Sequence, residues 1–146
     1  IEIPDEFQAV STAADGTITL PAVSCYSPRK SSDRILFLKS FDQGYQLHYS
    51  RLGRGPELFK YRVEIPTGGE YELSAEVATV SQHLELLVRL NHDEPVPFAV
   101  PYTKGMWQSS DAIRIKLTEG RNTISVTARS PNRGVSIKNW RLKPVK

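Results

Sequence analysis

The chain has 146 residues, of which 39% are hydrophobic and 24% charged. A chain of this length folds as one domain and hides roughly 70% of its unfolded surface, so it needs neither disulfides nor metals to hold a core. The net charge of +3, from 19 basic and 16 acidic side chains, is too small to require a nucleic-acid partner, which usually shows as Lys and Arg clustered on one face, and it leaves room for an anionic ligand.

Residues 1–16 are predicted to be an N-terminal extension or linker, and residues 17–146 a single folded module. The first residues lack the basic and apolar regions of a signal peptide, and the chain does not begin with Met. We therefore expect a module excised from a longer protein. Short strands are predicted at 17–20, 36–39 and 44–49.

After residue 57 the apolar residues alternate with polar ones, the pattern of half-buried strands. Turn residues such as Gly, Asn and Pro separate the alternating runs. The pattern predicts an all-β protein, an antiparallel β-sandwich or jelly roll of nine or ten strands. The predicted later strands are 58–65, 71–77, 84–90, 98–100, 113–117, 124–128 and 135–137.

The sequence contains no recognisable catalytic or metal-binding motif. Cys25 is the only cysteine, which excludes an intrachain disulfide and predicts a small buried hydrophobe. His48, His83 and His92 are isolated and have no partner at metal-ligand spacing. The sequence leaves open a pair of carboxylates facing each other across a cleft. We expect a non-enzyme without cofactor or metal.

Successive strands of an antiparallel sheet reverse direction, so alternate loops meet at the same end. One end is predicted to gather loops 42–45, 81–83, 102–110 and 130–133. The opposite end is predicted to gather loops 51–55, 67–69, 91–94 and 119–121.

The first of these ends combines aromatic, amide and cationic side chains. A sugar ring stacks on an aromatic ring, an amide hydrogen-bonds its hydroxyls, and a cation pairs with an acidic sugar. The candidate ligand-binding residues are Trp107, Asn132, Tyr45, Arg133 and Lys104. Each has a structural alternative: Trp107 as a plug of the sandwich end, Asn132 as a turn residue, Tyr45 as core, and the two cations as solvated charges.

The remaining aromatic side chains are predicted to be structural. Trp140 breaks the alternation of Val135 and Ile137, and a bulge at 138–139 would turn Trp140 and Leu142 inward. The other predicted core aromatics are Phe37, Phe41, Tyr61, Tyr71 and Phe98.

Taken in order, five stretches of the chain resemble the galactose-binding-like jelly rolls, and within these the carbohydrate-binding modules of families 6 and 35. The resemblance covers residues 17–143 and is carried by 59–66, 69–73, 100–107, 117–124 and 134–142. It implies a ligand site at the loop apex. There Trp107 matches the tryptophan that follows a glycine in the family loop, Asn132 falls where a loop asparagine is expected, and Tyr45 is an approximate match for a facing aromatic.

The resemblance also implies a structural calcium, held partly by an Asp in the closing strand of such modules. This chain has Lys138 at that place, after Ile137, and a cation there would repel calcium. We predict that the structural calcium is absent. A well-coordinated calcium near Lys138 would contradict this prediction.

The sequence leaves two functions open. The first is a non-catalytic carbohydrate-binding module that recognises a glycan, acidic sugars included, through its apex loops. The alternative is a structural or protein-interaction domain packed on neighbouring domains of a larger secreted protein, which an exposed apolar patch and a buried Trp107 would favour. Neither a nucleic-acid nor a membrane partner is expected. The resemblance implies a bacterial accessory module, secreted, periplasmic or on the cell surface.

Overall fold

The computed structural model describes residues 2–52, 57–129 and 134–146, and in them the predicted antiparallel β-sandwich is confirmed. Within these ranges no helix is long and apolar enough to cross a membrane. Two short 3-10 helices span Asp5–Phe7 and Ala22–Ser24. The strands are β1 (Ser11–Thr12), β2 (Ile18–Pro21), β3 (Ile35–Lys39), β4 (Tyr45–Tyr49), β5 (Phe59–Ile65), β6 (Gly69–Ala78), β7 (Leu84–Leu90), β8 (Val96–Val100), β9 (Gln108–Ser109), β10 (Ile113–Leu117), β11 (Gly120–Ala128) and β12 (Val135–Pro144).

The strands form two sheets, which we call sheet A and sheet B. In sheet A, β12 is central: β6 pairs along one edge, while β4 and then β2 pair along the other. β3 extends the sheet beyond β4, β1 extends it beyond β2, and β9 and β10 extend it beyond β6. Sheet B has the strand order β5, β11, β7, β8.

The core lies between the sheets and follows the alternation of the sequence. The inward positions of β5 and β7 are buried at every second residue. The predicted core positions of Phe37, Tyr61, Tyr71 and Phe98 are confirmed, each at most 4% exposed. The prediction is wrong for Phe41, which is 80% exposed because it lies in the β3–β4 turn, beyond the last cross-strand pair.

The predicted bulge in β12 is confirmed. The register between β12 and β6 shifts between Ile137 and Asn139, leaving Lys138 as the extra residue. One extra residue reverses which side chains face inward. Trp140 is therefore only 1% exposed, and its ring lies edge-on to Tyr61 and Phe98, with centroids at 6.4 and 5.3 Å.

The N-terminal residues before β2 also pack on the sandwich. Residues 11–12 pair with 18–19, and the Phe7 ring lies edge-on to Tyr45 at 5.1 Å between centroids. The assignment of residues 1–16 as an extension or linker stays a prediction.

Cys25 is buried as predicted, and burial raises the pKa of its thiol to about 12.

The predicted grouping of loops is right in one part and wrong in another. The loops after β6 and β8 meet, because the Thr79 amide donates to Thr103 Oγ1 at 2.8 Å. Arg51 and Leu52, predicted for the opposite end, line a groove beside Val80 at this same end. The reason is that β4 pairs antiparallel to β12, so the chain leaves β4 where β12 begins.

At the opposite end a buried amide joins two turns. Asn122 is fully buried and makes five hydrogen bonds, which reach Asn91 Nδ2, the backbone and hydroxyl of Thr118, and the Gly120 carbonyl. Its side-chain oxygen and nitrogen thereby satisfy polar groups of the β7–β8 and β10–β11 turns.

We expect Asn122→Ala to lower the free energy of unfolding by about 3 kcal/mol, because several buried polar groups lose their partners. Thr118→Val, which removes one hydroxyl but leaves the amide contacts, should cost less than about 1 kcal/mol. Urea denaturation of both variants measures the difference. Equal losses in the two variants would show that Asn122 has no such role.

Candidate functional site

A row of cross-strand neighbours runs over the outer face of sheet A and ends at the longest loop. Ser136 pairs with His48 on one side and with Ala78 on the other. Gln108 pairs with Val77, so the antiparallel register places Trp107 across from Ala78. Trp107, in the loop between β8 and β9, is therefore held at the margin of this face by the pairing of β9.

Two aromatic rings from different loops lie together at this margin. The rings of Phe41 and Trp107 are nearly parallel, at 9° between planes and 6.5 Å between centroids. Phe41 is 80% exposed and Trp107 is half-buried. Two neighbouring rings at the surface form an apolar patch, so the pair marks this margin as a candidate binding surface.

The bulge residue Lys138 places a cation beside the rings. Its Nζ lies 5.6 Å from the centre of the Trp107 ring and 2.6 Å from Asp42 Oδ2. The Lys138 hydrogen bond, followed by one from the Ser40 hydroxyl, holds the pKa of Asp42 well below its usual range. The Asp42 carboxylate is thus charged at neutral pH and faces the Lys138 side chain next to an aromatic ring.

Polar side chains continue the surface along β4 and β12. His48 Nδ1 lies 2.9 Å from Ser136 Oγ, and Gln46 Nε2 donates to the same oxygen at 3.2 Å. Burial lowers the pKa of His48 below its ordinary value near 6.5, so this imidazole is neutral at pH 7. A neutral imidazole, an amide and a hydroxyl together offer both donors and acceptors.

The same row forms one wall of a groove at the loop end, with a volume of about 410 Å³. His48 and Ser136 line it on the sheet side, and Leu52, Val80 and Gly105 line it on the loop side. Leu52 is 66% exposed and Val80 78% exposed, so the rim of this groove is apolar.

The structure brings together only part of the predicted site. Trp107 lies in the ring pair, and Lys104 is exposed in the same loop, with a positive φ of 57°. Tyr45 lies two positions before the buried Leu47 in β4, so both side chains point to the same side of the sheet. Tyr45 packs against the core and against the Phe7 ring. The ring beside Trp107 is therefore that of Phe41, not that of Tyr45. The predicted residues Asn132 and Arg133 lie outside the described residues.

Sequence reasoning missed Phe41, Asp42 and Lys138 as members of this surface. A signal for Phe41 was present: it precedes Asp-Gln-Gly, a turn sequence, which places it outside the alternating strand. The contact of Asp42 with Lys138 joins residues 96 positions apart in the chain, and no local pattern reports such a contact.

The described residues do not fit a calcium ion at the closing strand. No group of three or more His, Cys, Asp or Glu side chains that could hold a metal occurs in ranges 2–52, 57–129 and 134–146. The Asp42 carboxylate beside the closing motif already pairs with the Lys138 ammonium. Calcium requires several oxygen ligands, and the Lys138 ammonium occupies the place where the family has a carboxylate ligand.

We expect the melting temperature to stay within about 1 °C when EDTA or millimolar CaCl₂ is added, because a metal that does not bind the folded state cannot stabilise it. Differential scanning fluorimetry in calcium-free buffer measures this. A calcium-dependent rise in melting temperature that EDTA reverses would contradict the prediction that calcium is absent.

We expect Lys138→Met to raise the pKa of Asp42 towards its ordinary value near 3.9, because the main cause of its depression is removed. NMR titration of the Asp42 carboxyl carbon measures this shift. A depressed folded-state pKa stabilises above the unfolded-state pKa, so the stability difference between the two proteins should be constant above about pH 5 and shrink as the pH falls below about 4. An unchanged Asp42 pKa would show that the ion pair does not form in solution.

No protein-family model matches this chain, and no curated protein matches it. Several solved structures do match this chain. The C-terminal family 6 carbohydrate-binding module of a laminarinase from Zobellia galactanivorans is 16% identical, with a TM-score of 0.70 over 88% of this chain and 100% of that one. A family 6 module of Cellvibrio mixtus lichenase 5A, in complex with cellotriose, is 18% identical, with a TM-score of 0.67 over 88% of this chain and 97% of that one.

A solved structure that contains a family 35 module also matches this chain. A Podospora anserina β-(1,4)-mannanase with a family 35 module is 18% identical, with a TM-score of 0.68 over 90% of this chain and 28% of that one. The match therefore spans a small part of that larger enzyme. The chain has the β-sandwich fold of the carbohydrate-binding modules of families 6 and 35.

Proposed function

We propose that this protein is a non-catalytic carbohydrate-binding module that recognises a glycan at the loop end of sheet A. The observation that carries the proposal is the near-parallel pair formed by Phe41 and Trp107, with Phe41 80% exposed. The similarity of the fold to carbohydrate-binding modules supports the same function. The protein would act as an accessory module beside neighbouring domains of a secreted or cell-surface bacterial protein.

The ring pair suits a sugar because of the chemistry of the pyranose ring. The C–H groups on one face of the sugar pack on an aromatic ring, while its hydroxyl groups point sideways towards polar side chains. Here Ser136 and His48 follow the rings along the same row of the sheet. A glycan stacked on Phe41 and Trp107 would extend over these side chains towards the groove.

The charges around the rings tune the choice of sugar. Lys138 is already paired with Asp42, so it offers an acidic sugar less attraction than an unpaired lysine would. Lys104 in the same loop is exposed and forms no ion pair with a carboxylate of the described residues. We propose that Lys104 and Arg133 extend recognition to acidic sugars, and that Asn132 hydrogen-bonds sugar hydroxyls.

We expect Phe41→Ala and Trp107→Ala each to weaken binding about tenfold or more, because truncation of a central aromatic contact removes most of its stacking. Isothermal titration with cellotriose, laminari-, manno- and galacturono-oligosaccharides measures the affinities. Ligand binding should also change tryptophan emission, because Trp140 is buried and the half-buried Trp107 reports on the site.

Tyr102→Ala is the matched control. Tyr102 belongs to the same loop and is 45% exposed, but it lines a separate depression beside His83. The Tyr102→Ala variant should bind glycans as tightly as the unchanged protein does. Affinities that stay the same in Trp107→Ala and Asn132→Ala would rule out this site, and a glycan array without any signal would rule out the function.

A protein-interaction domain is the second candidate, and the apolar rim favours it. Val80, Met106 and Leu52 are 78%, 69% and 66% exposed at the same end of the sandwich. Such side chains suit a neighbouring protein surface as well as the apolar face of a sugar. A glycan signal lost in Phe41→Ala supports carbohydrate binding, whereas no glycan signal, together with association of this end with a flanking domain, supports the second candidate.

A further inference from the structure

The β3–β4 turn, residues 40–44, has a shape that its own hydrogen bonds fix. The Ser40 amide donates to the Gly44 carbonyl at 2.8 Å, and the Gln43 amide donates to Asp42 Oδ1 at 2.7 Å. The last cross-strand pair of β3 and β4 lies just before these residues. Since the bonds lie within the turn, they fix its shape but not its place relative to sheet A. That place depends on contacts with other elements.

Two side chains of the turn reach the candidate site. Asp42 pairs with Lys138, and the Phe41 ring lies beside that of Trp107. Asp42 and Phe41 are both exposed to solvent. Exposed ion pairs stabilise weakly, because water screens the charges and two flexible side chains lose freedom. A contact on the other side of the turn is therefore important for holding it in one place.

Phe7 of the N-terminal segment makes this contact where the turn returns to β4. Its ring lies edge-on to Tyr45, with 5.1 Å between centroids and 65° between planes. A side-chain carbon built on Gly44 would lie 3.7 Å from the Phe7 ring, an ordinary van der Waals distance. The ring thus packs directly against the last residue of the turn and the first residue of β4.

Phe7 is itself anchored to the sandwich, independently of the turn. It ends the 3-10 helix Asp5–Phe7, whose neighbours on both sides are fixed. Before the helix, Ile3 packs against the core, and its carbonyl accepts a hydrogen bond from Gln8 Nε2 at 2.8 Å. After the helix, β1 pairs with β2. The Phe7 ring is therefore a fixed support for a turn that is otherwise held by exposed side chains.

We propose that Phe7 is a positioning residue of the candidate glycan site, because it holds the β3–β4 turn where Phe41 lies parallel to Trp107. Phe7 acts through the turn and not on the ligand. Its effect on affinity rests on the proposed function, whereas its effect on the turn is a property of the protein without ligand. Packing of the N-terminal segment thus preorganises a site that other loops form, and preorganisation raises affinity.

The first test follows the turn in the protein without ligand. Phe7→Ala should raise the pKa of Asp42 by roughly half a unit or more, because the carboxylate is held less often on Lys138. NMR titration of the Asp42 carboxyl carbon measures this. Acrylamide should also quench Trp107 more strongly, because Phe41 shields its ring less, while the buried Trp140 contributes little to quenching. A contact that only stabilises the fold would lower the melting temperature and leave both measurements unchanged.

The second test measures affinity by isothermal titration with cellotriose and with laminari-, manno- and galacturono-oligosaccharides. Phe7→Ala should bind the preferred oligosaccharide about three- to tenfold more weakly, the range expected for loss of one aromatic pair. The double variant Phe7→Ala/Phe41→Ala should bind no more weakly than Phe41→Ala alone, because Phe7 acts through Phe41.

Two control variants accompany these tests. Phe7→Tyr keeps the ring and should behave as the unchanged protein does. Val10→Ala truncates an apolar side chain of the same N-terminal segment, 47% exposed, and should change neither the Asp42 pKa nor the Trp107 quenching. Melting temperatures well above the temperature of measurement show that the variants are folded.

The outcomes separate this proposal from the proposed function. An unchanged Asp42 pKa and unchanged Trp107 quenching in Phe7→Ala would overturn the positioning role, whatever the glycan affinities are. Equal changes in Val10→Ala, or additive losses of affinity in the double variant, would also overturn it. If the unchanged protein binds no glycan but Phe7→Ala shifts both measurements, the proposed function fails while the positioning of the turn by Phe7 is supported.

Discussion

The bulge at Lys138 is the constraint on which the rest of the structure depends. β12 is the central strand of sheet A and borders β6, β4 and β2, so its register fixes three neighbours at once. The extra residue lets Ile137 and Trp140 both face the core although they are three positions apart. Trp140 in turn contacts rings of sheet B, and losing a buried aromatic of this size would cost about 3–5 kcal/mol.

The same bulge connects the core to the candidate site. Turning Trp140 inward leaves Lys138 on the outer face, where its ammonium meets Asp42 and the Trp107 ring. The turn that contains Phe41 and Asp42 is thereby fastened to the central strand by a charged contact. A residue that maintains the hydrophobic register thus also helps to position the aromatic surface.

Period-two alternation was enough to predict the sandwich, the main strands and the bulge, because burial of one strand face is a local property of the sequence. The position of Trp107 in an end loop was equally accessible. Its neighbours were not: Tyr45 was the expected facing aromatic, yet it packs against Phe7, and Phe41 lies beside Trp107.

The candidate site occupies only one of the two outer faces of the sandwich. Stacked sheets lie about 10 Å apart, and the outer face of sheet A points away from that of sheet B. A polymer chain on one face leaves the other face free, so occupancy of one does not obstruct the other. A ligand bound at the ring pair of Phe41 and Trp107 would therefore leave the outer face of sheet B open to a neighbouring domain.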